Sequence, residues 1–149
     1  MTRHDALLRN QLQRSVEGYL AALDRLSIAD VMRFFAPTAL FIVQTSGICI
    51  QGASAIKSLW NSFFETHESM RHAITSVIVD EDNRKAAVEV VFDGLLHDGT
   101  EEHRCSSYYF DVAADGTFSR VIVWIDGETP QSAGIGTAVP GDESREPQR

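Results

Sequence analysis

The sequence predicts an α+β domain in which three N-terminal helices pack on a curved, mostly antiparallel sheet. Two observations support this prediction. The first half of the chain alternates helical periodicity with two short apolar runs, whereas the second half consists of long strand-like runs separated by turn residues. The chain has 149 residues and a hydrophobic share of 44%, which suits one ordinary domain with its own core.

The first half contains three helical segments and one short hairpin. Apolar residues recur every three or four positions over residues 6–26, and Ser27 is placed to cap a second short helix that we expect to end at Pro37. Residues 39–44 and 47–51 follow as two short strands. The third helix has an apolar stripe made of Ile56, Leu59, Trp60, Phe63 and Phe64.

The second half predicts a four-stranded antiparallel meander. Its strand-like runs are residues 70–79, 86–97, 100–113 and 117–126. Asp98-Gly99 indicates a two-residue turn and Ala114-Asp115-Gly116 a three-residue turn, because glycine tolerates the positive φ that such turns require. Residues 128–149 have no apolar periodicity, so we expect a polar tail after a folded domain of residues 1–127.

The composition argues against several classes of partner. The chain carries 13 Lys and Arg against 21 Asp and Glu, a formal net charge of −8 without a basic patch, so nucleic acid is not expected. No apolar run approaches the roughly 20 residues of a membrane span. The opening residues lead into a helix rather than a signal core, so we expect no membrane partner and a cytoplasmic location.

No cofactor is expected from the motifs. The sequence has neither a metal-ligand cluster nor a glycine-rich phosphate loop. Cys49 and Cys105 lack metal-ligand spacing and are interpreted as two buried thiols.

Three segments carry a resemblance to a known superfamily. Residues 16–24 (VEGYLAALD) and 28–36 (IADVMRFFA) are similar to the opening of the ketosteroid isomerases, and residues 52–60 (GASAIKSLW) to their third helix. With the order of elements, the chain resembles, over residues 10–126, the NTF2-like or SnoaL-like superfamily of ketosteroid isomerases, polyketide cyclases, scytalone-type dehydratases and nuclear transport factor 2. The resemblance implies a cone-shaped α+β barrel that encloses a small-molecule pocket.

The resemblance also implies roles for individual residues. Tyr19 matches the helix-1 tyrosine that donates a hydrogen bond to the substrate oxygen in the isomerases, and Tyr108 matches their second oxyanion donor. The pocket aromatics are matched by Trp60 and Trp124. The aspartate base of the isomerases falls on Val43, so a base must come from another position.

The predicted turns also predict a strand register, because opposed residues in an antiparallel pair point to the same face. Two polar rows then share one face: His72–Asp93–Arg104–Asp126 and Ser76–Glu89–Tyr108. The same register opposes Ser106 to Trp124. Cross-strand neighbours lie about 5 Å apart at Cβ, which places His72 within hydrogen-bonding reach of Asp93.

We therefore expect a cofactor-independent dehydratase or isomerase acting on a mostly apolar cyclic molecule such as a polyketide, steroid or terpenoid. A carboxylate beside an imidazole fixes its tautomer and raises its basicity, so His72 is the predicted base, oriented by Asp93, with Tyr19 as a donor. Superfamily dehydratases use a similar set. Glu89 is the alternative base. The predicted substrate-binding residues are Trp60, Glu89, Arg104, Ser106, Tyr108, Trp124 and Asp126.

Other interpretations stay open. Asp93, Arg104 and Asp126 can form a structural ion-pair row, and their composition resembles the Asp–Arg–Asp set of epoxide hydrolases on this fold. In SnoaL-like cyclases the catalytic positions match Ile122 and Tyr108. A non-catalytic small-molecule or protein binding module is the alternative from a different functional class.

Two further expectations concern exposure. His67, His97 and His103 fall in or near predicted turns and are expected to face solvent. The second face of the sheet is expected to be apolar and to form a homodimer interface; its residues are Val88, Val90, Phe92, Val121 and Val123.

Overall fold

The computed structural model describes residues 3–126. The helices are α1 (Arg3–Asp24), α2 (Ile28–Met32) and α3 (Ala53–Thr66), and the strands are β1 (Phe35–Val43), β2 (Ile48–Gln51), β3 (His67–Asp80), β4 (Lys85–Leu96), β5 (Glu101–Val112) and β6 (Phe118–Ile125). The predicted domain boundary at 127 and the predicted tail, residues 128–149, lie outside the described residues.

The six strands form one sheet in the order β2-β1-β6-β5-β4-β3. All neighbouring strands are antiparallel except β1 and β6, which are parallel. Helix α1 packs on β3 and helix α3 on β1, so the helices cover one face of the sheet. The predicted α+β class, with three helices on a mostly antiparallel sheet, is confirmed.

The helical half follows its sequence pattern with one difference. The buried face of α1 consists of Leu12, Val16, Tyr19, Leu20, Ala22 and Leu23. Ser27 Oγ accepts a hydrogen bond from the Asp30 N–H at 3.4 Å and caps α2. Helix α2 ends at Met32, before the predicted end at Pro37. That proline lies inside β1, where pairing with β6 is interrupted between Phe35 and Leu40, and a strand tolerates proline at such an interruption.

The turn between β4 and β5 has three residues rather than the predicted two. Leu96 N–H donates to Thr100 O at 2.9 Å, which leaves His97, Asp98 and Gly99 in the loop, and Gly99 adopts φ 87°. The extra residue shifts the register of β4 against β5 by one position. Asp93 therefore opposes His103, and Phe92 opposes Arg104.

Two β-bulges shift the β3–β4 and β5–β6 pairs in the same way. Ser76 opposes Glu89 as predicted, but one extra residue, Thr75, places His72 opposite Phe92 rather than Asp93. The predicted three-residue turn between β5 and β6 is present, since Ala113 N–H donates to Thr117 O at 2.8 Å. A bulge between Val112 and Asp111 then shifts the remaining β5–β6 pairs by one position.

Because side chains alternate along a strand, a register shift of one position moves the side chains of the shifted strand to the opposite face of the sheet. The five residues predicted to form the outer face, Val88, Val90, Phe92, Val121 and Val123, are all buried in the core. The outer face is nevertheless partly apolar, with Ile78 at 67%, Tyr109 at 49% and Trp124 at 50% exposure. The expectation of buried thiols was wrong, because Cys49 and Cys105 are exposed.

Candidate active site

A mostly apolar cavity opens on the inner face of the sheet beside α3. Its apolar walls come from Phe41, Val43, Trp60, Phe63, Phe92, Val123 and Ile125. Its polar residues are His72, Glu102, Arg104, Ser106 and Tyr108. The cavity volume is about 40 Å³, which is room for roughly three water molecules. A larger ligand therefore requires the lining side chains to move.

His72, on β3, is held by Asp24, the last residue of α1. Its Nδ1 lies 2.6 Å from Asp24 Oδ1. Its backbone N–H donates to the same carboxylate, at 3.0 Å from Oδ1 and 3.1 Å from Oδ2. The His72 side chain is 4% exposed and that of Asp24 28%. His72 is thus held at its imidazole and at its backbone by one carboxylate of α1.

This contact sets the tautomer of His72. An ionised carboxylate only accepts hydrogen bonds, so the proton of the neutral ring lies on Nδ1 and Nε2 carries the lone pair. No hydrogen bond to Nε2 is present among residues 3–126. The ring packs at a tilt of 48° against Phe92, with the ring centroids 5.0 Å apart, and edge-on to Tyr108. A free basic nitrogen in an apolar cavity is the arrangement that a general base requires.

The predicted partner of His72, Asp93, lies on the other face of the sheet. Asp93 opposes Arg71 and His103 in the ladder, and its Oδ1 lies 2.6 Å from His103 Nδ1. The predicted His72–Asp93 contact was wrong because the β4–β5 turn and the Thr75 bulge shift the strands by one residue. The residue that orients His72 is Asp24.

Tyr19 and Trp60 lie deeper in the core. Tyr19 is 0% exposed, and it contacts the Phe35 and Phe118 rings edge-on. Burial, with a smaller contribution from Tyr108, raises the pKa of Tyr19 well above its usual range. Tyr19 Oη and Trp60 Nε1 are both buried without a hydrogen-bond partner in the described part of the chain. Trp60 lines the cavity directly, whereas Tyr19 lies behind it.

Three other predicted residues of β5 lie in the cavity wall, on the face that the predicted register already turned inward. Arg104, Ser106 and Tyr108 all line the cavity, and their role in substrate binding stays a prediction. Burial raises the pKa of Tyr108, so its phenol stays protonated at neutral pH and can donate a hydrogen bond. Arg104 Nη2 lies 3.9 Å from Glu102 Oε1.

The remaining predicted site residues lie outside the cavity. Glu89 is exposed on the outer face, and Trp124 is 50% exposed there. Asp126 is exposed beyond the end of β6, where its Oδ1 accepts a hydrogen bond from the Cys105 N–H at 2.7 Å. The predicted polar rows are therefore divided between the two faces, because Asp93, Glu89 and Asp126 are separated from His72, Arg104 and Tyr108 by the sheet itself.

A second histidine–carboxylate pair at the cavity was missed. His67 Nε2 lies 2.8 Å from Glu102 Oε2, and both side chains are buried. His67 was expected to face solvent at a turn, but β3 begins directly at the end of α3 and turns this residue inward. Its Nδ1 lies 2.8 Å from Phe63 O and 3.0 Å from Thr66 Oγ1.

One of the missed residues carried a signal in the sequence. Asp24 continues the buried stripe of α1 four residues after Leu20, and a carboxylate in such a stripe indicates a buried partner. Glu102 shares the face of Arg104, two residues away on β5, which the predicted register already turned inward. Its contact with His67 was missed because His67 was assigned to a turn.

Within residues 3–126, no group of His, Cys, Asp and Glu side chains is arranged to hold a metal ion. Over the same range, no helix combines the length and apolar character needed to cross a membrane.

The fold and the apolar cavity define an NTF2-like protein, a class in which helices and a curved sheet surround a small-molecule pocket. The model of the SnoaL-like domain family matches residues 16–129. The chain therefore belongs to the SnoaL-like domain family. No protein with a curated description matches the sequence.

Solved structures share this fold at low sequence identity. BvnE pinacolase from Penicillium brevicompactum is 16% identical with a TM-score of 0.71, over 80% of this chain and 85% of that one. A protein from Xanthomonas campestris pv. campestris, provisionally named a polyketide cyclase, is 20% identical with a TM-score of 0.68, over 78% and 91%. AusH from Aspergillus nidulans is 14% identical with a TM-score of 0.73, over 85% and 90%. At these identities the similarity establishes the fold alone.

Proposed function

We propose that the protein is a cofactor-independent acid-base enzyme, a dehydratase or isomerase, that acts on a mostly apolar cyclic small molecule. The observation that carries the proposal is the contact between His72 Nδ1 and Asp24 Oδ1 at 2.6 Å, which leaves Nε2 at the cavity. His72 is then the base, and Asp24 takes the orienting role that the sequence analysis gave to Asp93.

The chemistry begins with transfer of an acidic C–H proton from the substrate to His72 Nε2. The imidazolium that forms is stabilised by the adjacent Asp24 carboxylate. The negative charge that develops on the substrate oxygen needs hydrogen-bond donors in the apolar cavity. Tyr108 Oη and Trp60 Nε1 line or adjoin that space and are donors of the required kind.

The cavity walls support an apolar ligand, since aromatic and aliphatic side chains predominate. The small volume of the cavity, about 40 Å³, means that ligand binding includes displacement of the lining side chains. A neighbour named as a pinacolase and another provisionally named a polyketide cyclase are consistent with natural-product substrates for this chain.

A SnoaL-like cyclase remains compatible with the same base, because ring closure can also begin with removal of an acidic proton. An epoxide hydrolase of the Asp–Arg–Asp type is disfavoured, because Asp93 and Asp126 lie outside the cavity that Arg104 lines. We also propose a cytoplasmic homodimer that pairs through the partly apolar outer face of the sheet, around Trp124.

The base can be tested without knowing the natural substrate. A panel of cyclic β-hydroxyketones in D2O is monitored by proton NMR for loss of the α-proton signal. Wild-type protein is expected to exchange the α-proton of at least one compound, and His72→Gln to reduce that rate by about 10²-fold or more.

His103→Gln is the matched control, because His103 also lies 2.6 Å from an aspartate, Asp93, but on the exposed face. It is expected to exchange at the wild-type rate. Binding of panel compounds without any exchange by the wild-type protein contradicts the proposal and favours the binding module. Equal exchange by wild type and His72→Gln places the base elsewhere.

A further inference from the structure

The contacts of His67 fix the number of protons that it shares with Glu102. Nδ1 lies 2.8 Å from the carbonyl oxygen of Phe63. A carbonyl oxygen can only accept, so Nδ1 must carry a hydrogen. Thr66 Oγ1 donates to the same carbonyl oxygen at 2.8 Å, so the hydroxyl hydrogen is already engaged there.

The other ring nitrogen then requires a second proton. If Nδ1 of a neutral imidazole carries the hydrogen, Nε2 is a bare lone pair. A bare Nε2 at 2.8 Å from an ionised Glu102 oxygen would set two lone pairs against each other. The distance is that of a hydrogen bond, so one additional proton lies between Nε2 and Oε2. His67 and Glu102 together therefore hold one proton more than a neutral imidazole and a carboxylate.

This proton lies beside the cavity in closely packed surroundings. The Glu102 side chain is 5% exposed and lines the cavity, and His67 is 0% exposed. A Cβ added to Gly94 would lie 3.2 Å from Glu102 Oε2. The absence of a side chain at this position of β4 therefore lets the backbone pack closely against the Glu102 carboxyl group. The charged group that faces the pair is Arg104 on β5, 3.9 Å from Oε1.

The pair lies on the same side of the sheet as the proposed base. The rings of His67 and His72 both contact Phe92, with centroid distances of 6.2 Å and 5.0 Å. His72 presents a lone pair to the cavity, whereas the His67–Glu102 pair holds an extra proton. A proton acceptor and a proton donor therefore flank one aromatic ring.

We propose that the His67–Glu102 pair is the general acid of the site and that Glu102 delivers its proton to a departing or migrating oxygen of the substrate. This inference rests on the proposed function. In a dehydration, His72 Nε2 takes the α-proton, the C–O bond breaks, and the hydroxyl group leaves as water with the proton from Glu102. Rotation of the carboxyl group about Cγ–Cδ turns the protonated oxygen from His67 towards the cavity. His72 then releases its proton to water, and the pair takes one up.

The proton count is tested by NMR of the wild-type protein at neutral pH. Long-range proton–nitrogen spectra give the state of both His67 ring nitrogens, and selective carbon labelling gives the state of the Glu102 carboxyl group. We expect either two protonated ring nitrogens or a protonated carboxyl group. An unprotonated Nε2 together with an ionised Glu102 overturns the inference.

The acid role is tested with Glu102→Gln, which keeps the shape and can still hydrogen-bond to His67 but has no acidic proton. It is expected to lower elimination of water from the same β-hydroxyketone at least tenfold more than it lowers α-proton exchange, because proton abstraction by His72 does not use the acid. Glu101→Gln, an exposed neighbour on β5, is the matched control and is expected to retain both steps.

Two outcomes separate this inference from the proposed function. If His72→Gln loses exchange but Glu102→Gln keeps the wild-type ratio of elimination to exchange, His72 remains the base and the acid role of Glu102 is overturned. Absence of exchange in the wild type overturns the proposed function, while the NMR proton count still decides whether the pair holds its proton.

Discussion

The Asp24 carboxylate is hydrogen-bonded to both the imidazole and the backbone N–H of His72, and these contacts connect the end of α1 to β3. A carboxylate at the C-terminus of a helix is electrostatically unfavourable, because the helix dipole places negative charge there. The last turn of α1 has no basic residue to offset it. The two N–H groups of His72 take that role, so the carboxylate is stabilised by the residue that it orients.

Asp24→Asn is expected to slow proton transfer to His72 while keeping its tautomer. Asp24 Oδ1 is shared by His72 Nδ1 at 2.6 Å and the His72 backbone N–H at 3.0 Å, so an amide oxygen at that position accepts from both and the ring proton stays on Nδ1. The amide carries no charge to stabilise the imidazolium that forms, so α-proton exchange should fall by about 10²-fold. Long-range proton–nitrogen NMR reports the tautomer. Asp93→Asn changes the exposed His103 pair and should leave His72 and the exchange rate unaltered.

Alkaline conditions should destabilise the protein through Tyr19 and Tyr108. Burial raises the pKa of both phenols, so their contribution to stability is complete below the unfolded value of about 10 and is lost as pH rises above it. Above about pH 10, each phenol lowers the free energy of unfolding by about 1.4 kcal/mol for each further pH unit, until the pH reaches its raised pKa.

Urea unfolding between pH 9 and pH 11 measures this slope. Tyr108→Phe should reduce it by the contribution of one tyrosine. Tyr109→Phe is the control, because it removes a half-exposed phenol hydroxyl from the outer face and should leave the slope unchanged. An unchanged slope in Tyr108→Phe would show that its phenol ionises freely in the folded protein.

Gly94→Ala is expected to destabilise the protein by about 1–3 kcal/mol, as overpacking of a dense core does. The new methyl carbon would lie 2.8 Å from Phe92 Cζ and 3.2 Å from Glu102 Oε2. Urea unfolding measures the change. Adding Phe92→Leu should recover part of the loss, because it removes the ring that the methyl group meets. If the two substitutions are additive, the clash with Phe92 is not the cause.

The homodimer prediction is tested on the outer face. Light scattering on dilute protein should give twice the chain mass of 16.5 kDa, and Trp124→Glu with Ile78→Glu should give a folded monomer. Leu7→Glu is the matched control, because Leu7 is 63% exposed but lies on α1. A wild-type monomer would show that this face does not hold two copies together.

The fold was predictable because its signals are local. Helical periodicity in α1 and α3, and turn residues between apolar runs in the second half, specify the elements and their order. The position of His72, the proposed base, was also predictable, because the register placed it on the same face as Arg104 and Tyr108, and all three line the cavity. Its partner, Asp24, was not predicted from the sequence.

The sequence by itself determined the α+β class, the family and the candidate histidine. Tertiary structure decided which carboxylates meet which histidines. One additional loop residue at His97 and one bulge at Thr75 exchange the faces of whole strands, since side chains alternate with a period of two. Those two local choices move Asp93 and Glu89 outside while His72 stays inside. The contact of Asp24 with His72 spans 48 positions of sequence and depends on how α1 docks on the sheet.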